Sequence, residues 1–315
     1  MGAIAMTGFF MLSGYSMHLS NSKSDLTKIE GVKRFYIKRL ITILPLYYAV
    51  ALIHIIYALI KGRVSIVDIA ILFPVEMFAT QSTFTTLFPY SHNSGTWFIS
   101  CIIICYLIYP FIQSILLQIS NKSRILLLVI LSGLLLYAPF IQHYFHLDSV
   151  SIYTSPFYRL LEFTIGVIIG QLNTLQNDNK LINVLRKPYC LVLSILLMFV
   201  IVSAGRKCGL PADYMLFNIV ALPCFIVMII SLGSMKFKEI KDTRLLLYLS
   251  SISFTFFLCQ ILPLWDLSRF LYDTISIESN LLKILLSFTI CMLGAILIHH
   301  VVEVPVSSYF KKKLL

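Results

Sequence analysis

Formal charge is scarce in this chain: Asp, Glu, Lys and Arg make up 12% of its 315 residues, about half the 25% of an ordinary globular domain. Acidic residues are the scarcer kind, 14 against 25 basic. No segment is long and polar enough to fold as a separate soluble domain, and Pro, Gly and Ser nowhere gather into a linker. No repeat of fixed period is present, which excludes solenoids and arrays. The seven cysteines have neither metal-ligand nor disulfide-framework spacing. Cys101 and Cys105 share a helix face with no His or acidic cluster beside them, and read as a buried, inert pair. The first residues hold no basic region and no small-residue cleavage site, so no signal peptide is read there. P-loop, metalloprotease and nucleophile-elbow patterns are missing too. The sequence therefore predicts no bound cofactor and no metal.

What the chain does have is apolar length. Hydrophobic residues are 58% of it, and stretches of the roughly 20 apolar residues that cross a bilayer recur with short polar gaps. The reading is an all-α, polytopic membrane bundle with helices near 2–20, 40–60, 97–118, 125–142, 157–173, 188–204, 214–234, 245–265 and 281–304. A tenth run, 64–80, contains Asp68, Pro74 and Glu76. A charge near mid-bilayer costs about 2.5–3.5 kcal/mol on insertion scales, so this run is expected to lie on or dip into the membrane without crossing.

Charge asymmetry supports that choice. With nine crossings, the loops at 21–39, 119–124, 174–187 and 235–244 and the tail after 305 share one side and hold 18 of the 25 basic residues. If 64–80 crosses, the asymmetry collapses. Basic loops face the cytoplasm, so the net charge of +11 is read as membrane topology and not as a nucleic-acid partner. The helix at 2–20 must then run from outside to inside, with Met1 extracytoplasmic. The simplest account is a further helix upstream, making 1–315 a single, N-terminally truncated transmembrane domain.

Five stretches carry the residues that chemistry would need. In "GFFMLSGYSMHL", residues 8–19, Ser13 and Gly14 are small residues that let helices approach closely. "RFYIKRLITILPLYY", residues 34–48, places Arg34, Lys38 and Arg39 at the end of a basic loop, with Pro45 inside the following helix. Those cations either anchor the interface by snorkelling or meet an anionic ligand such as the phosphates of an acyl carrier. In "SPFYRLLEFTIGVIIG", residues 155–170, Arg159 and Glu162 are three apart on one helical face, continued by Gly166 and Gly170. Charges inside a membrane face a bundle interior or a watery cavity, as a structural ion pair or in contact with substrate.

The gap at 81–96, with Gln81, Ser82, His92 and Asn93, precedes Trp97 and reads as an outer loop able to hydrogen-bond a polar substrate. Near the end, "HHVVEVPVSSYFKKK" brings His299, His300, Glu303 and Pro305 to the cytoplasmic end of the last helix. Histidine there suits a base or proton shuttle, although adjacent residues diverge by about 100° on a helix. His54, alone in the second span, reads as an interior histidine.

In order, "FFMLSGY", "FYIKRLITILPLYY", "TWFISCIIICYLIYP", "FYRLLEFTIGVIIG", "LSSISFTFFLCQILP" and "VVEVP" resemble segments of the membrane acyltransferase 3 family. Its bacterial members O-acylate lipopolysaccharide, capsule, peptidoglycan or other glycans. The resemblance implies a cytoplasmic acyl-CoA donor, usually acetyl-CoA, and an ester formed on a sugar hydroxyl of a glycan or lipid-linked saccharide, in a bacterial inner membrane. The family's first helix carries an arginine and, about three turns later, a histidine implicated in transfer; the stretch resembling "FFMLSGY" follows it. Thr42 stands where many members carry a second arginine, and Gln260 where many carry histidine. By residue-wise correspondence Arg159 and Glu162 are the catalytic candidates. Arg39, Lys38, Arg34, Trp97, Ser13 and His92 are the substrate-binding ones, with the donor entering near Arg39 and the acceptor near the outer loops. A transporter for a glycan intermediate, or an inactive remnant of the fold, are the rival readings.

Overall fold

A computed structural model describes residues 2–83, 94–145, 152–174, 180–207, 218–235 and 243–314. Among them no strand occurs, and the elements are helices: α1 (Gly2–Asn21), α2 (Ile29–Ile60), α3 (Ile66–Met77), α4 (Trp97–Gln118), α5 (Asn121–Tyr144), α6 (Pro156–Thr174), α7 (Lys180–Leu185), α8 (Pro188–Lys207), α9 (Asn218–Ser234), α10 (Arg244–Leu258), α11 (Leu262–Thr274), α12 (Asn280–Ile298) and α13 (Val304–Leu314). The chain divides into two compact units, one of residues 1–32 and 101–238, the other of 33–100 and 239–315.

Four described helices are long and apolar enough to cross a membrane: Ile29–Ile60, Trp97–Gln118, Asn121–Gln142 and the continuous run Asn280–Leu314. That establishes a multi-pass membrane character with fewer qualifying spans than the nine crossings read from sequence. The difference has a physical cause in α1 and α6. Both are of crossing length, but their polar residues lower the average, and those residues are buried: Thr7, His18 and Asn21 in α1, Arg159, Glu162 and Gln171 in α6.

The expected helix at 245–265 is broken. α10 and the residues from Pro263 onward meet at 89°: Ile261 takes an extended conformation (φ −113°, ψ 159°) as the N-cap of α11, and Pro263, which has no N–H to give to a preceding turn, suits the first turn of a new helix. The doubtful run at 64–80 forms α3, whose twelve residues reach about 18 Å, short of a 30 Å hydrocarbon core. Ser65 caps it: its hydroxyl accepts the Asp68 N–H at 3.1 Å and its own N–H donates to the Asp68 carboxylate at 2.9 Å. None of the α3 side chains is buried.

In the first unit α1 and α6 form the most extensive helix pair. A Cβ added to Gly14 would lie 1.9 Å from the Phe163 carbonyl oxygen, and one added to Gly166 would lie 1.8 Å from that of Met11. The two backbones therefore touch where neither helix carries a side chain. In a membrane, where lipid is as apolar as leucine, such close packing is a principal source of helix association.

Candidate functional site

The α1–α6 contact sets the geometry around the buried charges of the first unit. Arg159 and Glu162 both have zero side-chain exposure. One guanidinium nitrogen donates to both carboxylate oxygens, at 2.9 and 2.7 Å, and Arg159 Nε donates to the Tyr153 carbonyl at 3.0 Å. The guanidinium also sits over the rings of Phe10, Tyr153 and Tyr158, 5.1–5.7 Å from their centroids. From α1 the Thr7 hydroxyl donates to Glu162 Oε1 at 2.7 Å. Asn218 of α9 donates to the Tyr158 hydroxyl at 3.2 Å, which in turn donates to the Leu135 carbonyl at 3.1 Å. The three-residue spacing read from sequence thus grows into a network tying α1, α5, α6 and α9 together, with both charged side chains fully buried.

A second polar cluster occupies the other end of α1. His18 is 4% exposed, and its Nε2 lies 3.3 Å from the Thr174 hydroxyl, with Arg124 within electrostatic reach. Gln113 donates to the Asn21 carbonyl at 3.2 Å, and Tyr109 to that of Met17 at 3.3 Å. His18 Nδ1, Gln113 Oε1 and the whole side-chain amide of Gln171 are buried without a hydrogen-bond partner among the described residues. The sequence reading stopped at Ser13 and Gly14 and missed this group. The legible signal was spacing: His18 lies four residues after Gly14 and so faces the same neighbour.

In the second unit, the cations at the start of α2 fall into two kinds. Arg34 and Lys38 are exposed, whereas Arg39 is half-buried with its guanidinium 5.6 Å from the Phe35 ring centroid. Thr42 bonds back to the Lys38 carbonyl at 2.8 Å. Trp97 is 5% exposed and meets the Phe98 ring edge-on. Ser13, in the first unit, is half-buried, and His92 lies outside the described residues. Gln81 and Ser82, expected in a solvated loop, are buried; Gln81 donates to the Thr96 hydroxyl at 2.8 Å and to the Tyr47 hydroxyl at 3.3 Å. His54 is buried, 3% exposed.

The adjacent histidines diverge as helical geometry requires. They occupy a π-helical turn, His299–Glu303, with ring planes 77° apart. His299 turns inward, its Nδ1 2.7 Å from Glu303 Oε2, while the Thr255 hydroxyl of α10 donates to that same oxygen. His300 stacks on Tyr248 and lies 3.2 Å from its hydroxyl.

Among the described residues no group of three or more His, Cys, Asp or Glu side chains is placed to hold a metal ion. A cavity of about 560 Å³ lies in the first unit between α1, α8 and α9, walled by Phe9, Leu12, Met198, Phe225 and Met228 among others. Its apolar lining offers no group to activate a hydroxyl. At the junction before α2, outside the spans, the Thr27 hydroxyl and N–H and the Lys28 ammonium hydrogen-bond the Asp25 carboxylate and hold its pKa below the usual range.

The family model for acyltransferase 3, an acyltransferase domain, matches residues 1–300. No curated protein and no solved structure matches the chain. The matched range takes in every cluster above except the C-terminal part of the π turn, and with it the chain belongs to the acyltransferase 3 family.

Proposed function

We propose that this protein is a membrane O-acyltransferase. It moves an acyl group, acetyl in the first instance, from acyl-CoA on the cytoplasmic side of a bacterial inner membrane to a hydroxyl of a surface polysaccharide or its lipid-linked precursor. The observation that carries the reading is the acyltransferase domain running across nearly the whole helical chain. Family membership speaks to reaction class more than to the acceptor. The reaction needs an electrophilic thioester and a base to take the proton of a weakly nucleophilic hydroxyl, and it needs no metal. Arg159 and Glu162 are the interior charges on which the transfer depends, and Trp97, Ser13 and His92 remain substrate-binding candidates from the family resemblance.

Arg34, Lys38 and Arg39 suit the donor, because guanidinium and ammonium groups pair well with phosphate. Arg39 also has an apolar seat on Phe35 that fixes its direction. Replacing Lys38 and Arg39 together by alanine is expected to raise KM for acyl-CoA roughly tenfold at low salt with kcat unchanged, the loss of about 1.4 kcal/mol of binding. The difference shrinks at 0.5 M salt, where exposed charges are screened. Steady-state kinetics in membrane vesicles check both limbs.

The reading itself is tested by supplying radiolabelled acetyl-CoA to the cytoplasmic face of such vesicles and extracting glycan. Alkali-labile label on glycan is the expected result. Glycan that crosses the membrane unlabelled identifies a transporter and overturns the enzyme.

A further inference from the structure

Buried polar groups without partners are few in folded proteins, and each one needs an explanation. Several gather at one end of the first unit. The last turn of α1 touches two other helices there: His18 packs on Gly170 and meets Thr174 of α6, and the Asn21 carbonyl accepts a hydrogen bond from Gln113 of α4. With those contacts made, Gln113 Oε1, His18 Nδ1 and both amide atoms of Gln171 still have no hydrogen-bond partner among the described residues. Gln113 and Gln171 are each 2% exposed, so bulk water does not satisfy them.

Charge is out of balance at the same end. Arg124, in the first turn of α5, is 7% exposed and within electrostatic reach of His18. Its Nε donates to the Leu116 carbonyl at 2.9 Å and a terminal nitrogen donates to the Asn121 side chain. Among the described residues no carboxylate pairs with it, and a buried cation without a counter-charge is costly. The cluster therefore lacks two things at once, an anion and a set of amide-like donors and acceptors. Ordered water supplies the second but not the first.

An acyl-CoA donor brings both. Its 4′-phosphopantetheine arm, which joins the thioester to the nucleotide, carries phosphate at one end and two secondary amides along its length. A glutamine side chain offers a carbonyl and an N–H side by side, so Gln171 can pair with one ligand amide through both, while Gln113 Oε1 accepts the N–H of the other. Guanidinium groups pair strongly with phosphate. We propose that the ends of α1, α4 and α6 and the start of α5 form the seat of the donor's phosphopantetheine arm, with Arg124 on its phosphate and Gln171 and Gln113 on its amides; this rests on the acyltransferase reading above. Thr174, at the rim, is exposed, and the cluster adjoins the loops at 21–39, 119–124 and 174–187, whose basic residues read as cytoplasmic.

The test measures equilibrium binding of two radiolabelled probes to the full chain in membrane vesicles, beside transfer of label from acetyl-CoA to glycan. The probes are S-acetyl-4′-phosphopantetheine and S-acetylpantetheine, which lacks the phosphate. Arg124→Gln is expected to weaken the phosphorylated probe about ten- to hundredfold, the range for a hydrogen bond to a charged group, and the other probe less than twofold. Gln171→Leu is expected to weaken both about five- to tenfold and to raise KM for acetyl-CoA by the same factor. Gln113→Met makes the same comparison should Gln171→Leu not accumulate, and Gly133→Ala is expected to bind both probes as wild type does. A substitution that merely loosens the fold weakens the two probes alike, so the split in Arg124→Gln is particular to a seat.

Acyl carrier protein bears the same arm. Transfer from acetyl-CoA and not from acetylated carrier protein is expected, and transfer from the carrier alone overturns CoA as the source. Wild type that binds neither probe, or Arg124→Gln and Gln171→Leu that bind both within twofold of wild type, leaves the orphaned groups to ordered water and overturns the seat while the enzyme reading stands. Wild-type vesicles that bind the arm but move no label to glycan overturn the enzyme reading and leave the seat in place.

Discussion

Arg159→Ala is expected to remove glycan acylation and most of the folded protein together. Glu162 has no exposure, and without the guanidinium its only remaining hydrogen-bond donor among the described residues is the Thr7 hydroxyl. A buried carboxylate stripped of its partner costs about 3–5 kcal/mol, comparable to the whole stability of many domains. Loss of activity in that variant therefore says little about chemistry. The informative variant is Arg159→Met combined with Glu162→Leu, because replacing both members of a buried pair by apolar groups of similar volume is often neutral or stabilising. That double variant is expected to accumulate at wild-type levels, to elute as a single peak in detergent, and still to leave glycan unacylated. A double variant that acylates normally makes the pair a tie between helices and removes Arg159 and Glu162 from the reaction.

The all-helical membrane character was legible because lipid imposes apolar length, and the family because its motifs stand in order; the bounds were less so, since α2 begins at Ile29 and not near 40, and the last run continues to Leu314 and not 304. α3 was legible for the opposite reason: Asp68, Pro74 and Glu76 made the run at 64–80 too costly to cross, and it is a short capped helix. The break after α10 had one signal, Pro263, outweighed by the unbroken apolar run on either side. Buried polarity was read unevenly. Arg159 and Glu162 stand out because each is charged, whereas His18, Gln113 and Gln171 look in one dimension like solvated ends of spans. Only packing of α1 on α6 and α4 puts them inside. Gln81 and Ser82 show the converse, polar residues assigned to a loop that fold into the interior. The π turn at His299 leaves no mark in composition, since it changes the phase of the helix and not the kind of residue in it.

The contact between α1 and α6 yields the second large effect. Gly166→Ala places a methyl group 1.8 Å from the Met11 carbonyl oxygen and 2.7 Å from its carbon. Those atoms are backbone, so no side chain rotates away and the helices must part. Parting them also opens the approach of Gly14 to Phe163 and stretches the Thr7–Glu162 bond, which crosses the same contact. The expected cost is about 3 kcal/mol or more, the upper end for overpacking. Gly170→Ala meets the His18 side chain at its Cβ and ring, at 3.1 Å; a shift of a few tenths of an ångström relieves it, and the expected cost stays near 1 kcal/mol. Gly133→Ala, within α5, finds nothing within 4 Å and is expected to stabilise by about 0.5–1 kcal/mol, the difference in helix propensity. Thermal unfolding in detergent, followed by loss of the monodisperse peak, ranks the three. A Gly166→Ala protein as stable as Gly133→Ala would mean that α1 and α6 do not meet at their glycines, and the placement of Arg159, Glu162 and Thr7 around that contact would fall with it.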